Sequence, residues 1–99
     1  MPNLRVLAIR WADTDQFPFV LETEVTDADG VRRSIVDKEP IFGGPELSLD
    51  TVLPTEILLE CEVLTRTPDR VRITIDLPHG VLTSDGTADF DVHPDQLTD

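Results

Sequence analysis

The chain is poor in the residues that most often declare a function. Among 99 residues there is one cysteine, one lysine, no tyrosine and only five aromatic residues. A single cysteine excludes an internal disulfide framework. It also leaves Cys61, His79 and His93 isolated, with no Cys-x-x-Cys or His-x-x-x-His pair from which a zinc site is built. The longest apolar stretches fall far short of the roughly 18–20 residues of a membrane span. The first residues, MPNLRVLAIRW, lack the unbroken apolar core of a signal peptide, so a cytoplasmic location is expected.

Positive charge is the other scarcity. One Lys and seven Arg face 20 Asp and Glu, for a formal net charge of −12. Nucleic-acid backbones and anionic membrane surfaces are held by clustered basic side chains, so neither is an expected partner. A chain of this sign instead attracts a basic protein by long-range steering.

What is present is a period of two. Leu4 to Trp11 is a short Val/Ile/Leu-rich run that reads as a strand. Phe17, Phe19, Leu21, Thr23 and Val25 alternate with Glu22, Glu24 and Thr26. Asp27-Ala28-Asp29-Gly30 then supplies a turn, so residues 17–37 are expected to form one hairpin. A second hairpin spans 56–77, where Ile57, Leu59, Cys61 and Val63 answer Val71, Ile73, Ile75 and Leu77. Pairing Val63 with Val71 sets Glu62 opposite Arg72. A third spans 81–92 around Ser84-Asp85-Gly86, with Leu82, Ala88, Phe90 and Val92 facing inward. The segment from His93 to Leu97 reads as one helical turn pinned by Leu97.

The expected fold is therefore all-β: a single domain over 1–99, a small antiparallel barrel or two-sheet sandwich of six or seven strands. Val20, Val36, Leu58 and Leu64 put apolar atoms on the second faces of their strands. Either both faces are covered within the chain or a second copy covers one, as in a homodimer.

Chemistry is thinly represented. The acids of Asp27-Ala28-Asp29-Gly30 sit at the third and fifth positions of a calcium loop, but Val25 and Val36 occupy the first and twelfth, which must ligate. Paired acids such as Asp13/Asp15, Glu60/Glu62 and Asp89/Asp91 have the spacing of a solvated strand face or a turn. Gly43-Gly44-Pro45 lacks the lysine and following helix of a phosphate loop. No catalytic residue, cofactor or metal is assigned.

The segments Val36-Asp37-Lys38-Glu39-Pro40-Ile41-Phe42 and His79-Gly80-Val81-Leu82-Thr83-Ser84-Asp85-Gly86, with the ending Val92 to Leu97, resemble a group of short uncharacterised bacterial all-β proteins. That resemblance implies a bacterial domain and carries no activity.

The leading functional expectation is a non-catalytic acidic interaction domain. Its surface would include Glu60, Glu62, Asp89 and Asp91, and its sharpest form is inhibition of a basic enzyme in the manner of an immunity protein. An accessory subunit held by apolar contacts at Ile41 and Phe42 is the first alternative. The second is a small-ligand binder, with a pocket under the 38–54 loop and His79 at its rim. That loop is too long for a plain connection, and Ile41, Phe42, Leu47, Leu49 and Leu53 are apolar enough to anchor it.

Overall fold

A computed structural model describes residues 1–98. The chain order is β1 (Asn3–Asp13), β2 (Val20–Thr26), β3 (Arg32–Lys38), β4 (Thr55–Glu60), β5 (Glu62–Arg66), β6 (Val71–Thr74), β7 (Asp89–Val92) and β8 (Leu97–Thr98). They form two open antiparallel sheets, β3-β2-β1-β4 with β8 on β1, and β5-β6-β7. The fold is all-β, and it takes the two-sheet form and not the barrel. One apolar core joins Leu4, Val6, Leu21, Ile35, Ile57 and Leu59 of the larger sheet to Val71, Ile73, Phe90 and Val92 of the smaller. Among the described residues no helix is long and apolar enough to cross a membrane.

The first hairpin follows its alternation. Leu21, Thr23 and Val25 are buried, and Thr23 pairs with Ile35 across β2 and β3. The Thr23 hydroxyl would be costly in the core unpaired, and it donates to the Ile35 carbonyl at 2.9 Å. Phe17 and Phe19 precede the strand, and Phe17 is 83 % exposed rather than inward.

The second hairpin is corrected in both extent and register. The run 55–66 does not remain in one sheet: β4 pairs with β1, and the chain crosses to the smaller sheet at Cys61. Cys61 is fully buried at this corner, where its backbone N–H donates to the Pro2 carbonyl at 3.1 Å. Bends of this kind let one strand serve two sheets. Beyond it, Val63 lies opposite Ile73 and Glu62 opposite Thr74, with a register shift between Val63 and Thr65. The extra residue, Leu64, turns outward, and Arg72 faces Thr65 in place of Glu62.

The third hairpin is also corrected. Residues 81–83 form no strand, and their parity is inverted, with Val81 and Thr83 buried and Leu82 exposed. The cause is Thr83, whose hydroxyl accepts the Thr87 N–H at 3.0 Å and donates to the Asp85 carboxylate. Closing the turn inward at Thr83 puts Leu82 in water. Ala88 is half-buried, while Phe90 and Val92 face the core as expected.

β1 contains the feature that shapes the functional end. Ala8 pairs with Thr23 but Arg10 with Glu22 and Trp11 with Leu21, so Ile9 is an inserted bulge residue. Strict alternation from Leu4 would send Arg10 inward and Trp11 outward. The bulge reverses this, leaving Arg10 paired with Glu22 at 2.9 Å and Trp11 packed against the core.

Open sheets leave edges that recruit other strands. Here Ser84 N–H bonds the Ser34 carbonyl of β3, Gly43 exchanges two bonds with Leu58 of β4, and Ala28 N–H bonds the Asp91 carbonyl of β7. Gly44, with φ of +92°, turns the chain away immediately after the Leu58 contact. The β2–β3 turn thus reaches across to the smaller sheet.

Candidate functional site

The molecule is elongated, 42 × 24 × 23 Å, and the β2–β3 turn lies at one end of β2 while Phe17–Phe19 lead into the other. At the turn end, Asp27, Asp29 and Asp91 are paired internally. The Asp27 side chain is 1 % exposed and ion-paired with Arg33 at 3.0 Å. It also accepts the N–H groups of Asp29 and Val31, each at 2.9 Å. Burial alone would raise its pKa, but these bonds and Arg33 outweigh burial and hold it below the ordinary carboxylate value. The Arg33 guanidinium lies 5.5 Å from the centre of the Phe90 ring. Arg70 pairs with Asp29 and lies 3.3 Å from Asp91, which Arg72 also meets at 3.1 Å.

Of the acids expected to form an interaction face, Glu60, Glu62, Asp89 and Asp91, two have side-chain partners within the fold. Asp91 is compensated by two arginines, and Glu60 lies 3.1 Å from His79 Nε2. Glu60 ends β4 and so belongs to the other sheet. Glu62 and Asp89 remain exposed, in register on either side of Thr74.

The opposite end is built differently. Three of the five aromatic residues lie within 11–19. Trp11 meets Phe19 edge-on with ring centres 6.0 Å apart, and Phe19 meets Phe17 edge-on at 5.6 Å. The 38–54 loop folds over this cluster, opening with a 3-10 turn at Glu39–Ile41. Ile41, Leu47 and Leu53 pack on the core, and Ser48 and Thr51 close a turn with a 3.1 Å backbone bond. Between loop and aromatics lies a cavity of about 140 Å³, lined by Trp11, Phe17, Phe19, Glu39, Glu46 and Leu47, with Pro18, Pro40, Ser48 and Leu49 completing the wall. Trp11 Nε1 is buried without a hydrogen-bond partner.

The charge around this cavity is one-sided. The segments 11–19 and 37–51 carry six carboxylates, Asp13, Asp15, Asp37, Glu39, Glu46 and Asp50, against one ammonium, Lys38. No ion pair engages any of the six among the described residues, whereas Asp27, Asp29 and Asp91 all have arginine partners. Arg10, the nearest arginine in sequence, is held by Glu22.

The other proposed residues are placed elsewhere. Phe42 is 9 % exposed and Ile41 half-buried against the core, so both hold the loop down. Leu49, expected as a fifth anchor, is exposed. His79 is not at the rim of the cavity. Its partner Glu60 aligns with Asn3, eight residues from Trp11 along β1, about 26 Å at 3.3 Å per residue. Cys61 is a buried thiol whose pKa burial pushes up to about 11, which leaves it a packing residue at neutral pH. Trp11, Phe17, Phe19, Glu39 and Glu46 were not singled out by sequence as a site. Their signal was available in the crowding of aromatics into 11–19.

The second-face apolar residues do not merge into a patch. Leu58 lies under Gly43 and Gly44, Val36 and Leu64 sit on different sheets, and Glu22 and Glu24 of β2 separate Val36 from exposed Leu7. Compared with protein-family models, curated proteins and solved structures, the chain matches none.

Proposed function

We propose that the chain is a non-catalytic interaction domain that binds a basic protein through its aromatic, acid-rimmed end. The observation that carries this reading is the contrast in pairing: acids at the β2–β3 turn are neutralised internally, while those around Trp11, Phe17 and Phe19 are left for another molecule. An exposed aromatic beside uncompensated charge has the make-up of an interface centre, where aromatic residues contribute most of the energy and charge sets the approach. The size of the cavity favours a side chain over a free metabolite, since pockets for drug-sized ligands run to about 300–1,000 Å³. Inhibition of a basic enzyme is the sharpest form of the reading, with a cytoplasmic setting. Nucleic acid and anionic membranes are poor partners for this charge.

The test is capture from a lysate of the parent cell on the immobilised protein, at low and at high salt. A stoichiometric basic protein is expected at low salt and lost at high salt. The Glu39→Lys/Glu46→Lys variant should fail to capture it, whereas Glu62→Lys/Asp89→Lys should retain at least part. Retention of the partner by the first variant, or the absence of any salt-sensitive partner, overturns the reading.

A further inference from the structure

We infer that the cavity under the 38–54 loop receives one arginine side chain of the basic partner, its guanidinium against the aromatic rings and its charge met by Glu39 and Glu46. This rests on the reading above and narrows it to a residue type. Three observations converge. The wall offers three aromatic rings, whose faces attract a cation. Two carboxylates line the same cavity, and neither has an internal ion-pair partner among the described residues. The volume of about 140 Å³ corresponds to between four and five waters at roughly 30 Å³ each, the scale of one side-chain head group.

Arginine fits this set better than lysine for three reasons. Its plane stacks on aromatic rings, its weaker hydration lowers the cost of leaving water, and its forked donors meet carboxylates two at a time. The fold already uses the same chemistry once, where Arg33 lies over Phe90 and pairs with Asp27. At the cavity, the aromatics and acids are present and the guanidinium is the missing member.

Trp11 is the only tryptophan in the sequence and reports directly on the cavity. Its fluorescence is titrated, at constant ionic strength, with N-acetyl-arginine-N-methylamide, the corresponding lysine compound and the neutral citrulline compound. The arginine compound should give a saturable change with a Kd on the order of 1–10 mM, as one side chain supplies. The lysine and citrulline compounds should bind at least about tenfold more weakly. Glu39→Gln/Glu46→Gln should weaken arginine binding by about tenfold, with a melting temperature no lower than that of the parent as the control for folding. No saturable change with the arginine compound, or equal binding of the citrulline compound, overturns the inference. If that happens while the protein still captures a salt-sensitive basic partner that Glu39→Lys/Glu46→Lys loses, the arginine assignment falls and the interaction reading stands. Loss of both signals removes both.

Discussion

The two ends of this molecule carry the same kinds of residue and use them in opposite ways. At the β2–β3 turn, acid, arginine and aromatic ring are all supplied by the chain, as in Asp27, Arg33 and Phe90. At the loop end, acids and rings are supplied and no arginine joins them. The first arrangement is closed: Asp27, Asp29 and Asp91 each have an arginine partner, and the turn fastens one sheet to the other through Ala28 and Asp91. The second is open. The lesson is that net charge alone does not locate an interaction surface; what locates it is charge left over after internal pairing.

The comparison breaks most directly by mutation. Asp27→Ala removes one partner of a pair that is nearly sealed from water, leaves Arg33 uncompensated and strips acceptors from two backbone N–H groups. We expect a loss of about 3 kcal/mol in urea denaturation. Glu46→Ala, on an exposed loop residue, should change stability by no more than about 0.5 kcal/mol. Similar losses at both positions would show that the two ends are not different in kind.

A second effect, smaller because the carboxyl group stays in place, is pH dependence. The folded pKa of Asp27 lies below its ordinary value of 3.8. Its contribution is therefore present above that value and lost as pH falls through the folded pKa. Thermal stability should decline below about pH 4, and Asp27→Asn should flatten that decline. A parallel decline in the variant would assign the acid sensitivity to other groups, such as Asp85, whose pKa is also lowered, chiefly by the hydrogen bond from the Thr83 hydroxyl.

Phe17→Ala sharpens the comparison from the open end. With the ring largely in water, its edge contact with Phe19 should be worth only about 0.5–1 kcal/mol in denaturation. Binding of the arginine compound should fall several-fold in the same variant. The smallest expected effect is electrostatic. Replacing Glu39 and Glu46 with Gln should raise stability by a few tenths of a kcal/mol at low salt by easing repulsion, with the gain vanishing at high salt. A loss instead of a gain would mean that these acids have partners within the fold.

The sequence carried a good part of this. The β2–β3 hairpin, its turn and the inward set Leu21, Thr23 and Val25 follow from alternation and turn chemistry, whereas the pairing of Leu97 with Leu4 was not legible. What alternation misses is any place where the count slips by one. Ile9 and Leu64 are such places, and each changes which side chains face the core after it. Cys61 was legible as buried, but nothing in an unbroken apolar alternation marks the residue at which a strand changes sheets. The long 38–54 loop was legible as an anchored cover. The cavity beneath it was not, because its other wall comes from Trp11, Phe17 and Phe19, and only the bulge at Ile9 brings Trp11 to the inner side.

That bulge has a consequence for how the protein tolerates change. A strand with one extra residue behaves like a text with a deliberate frameshift: here Arg10 and Trp11 are read in the other phase, up to a second shift between Trp11 and Asp13. Deleting Ile9 would remove the bulge yet leave Arg10 opposite Glu22 and Trp11 opposite Leu21; taking Ile9 into regular pairing would instead send Arg10 toward the core and Trp11 into solvent, without altering a single residue that lines the cavity. The bulged backbone at this point is thus as much a part of the site as the identity of its walls. A substitution scan confined to the walls would pass over the position that sets them facing one another.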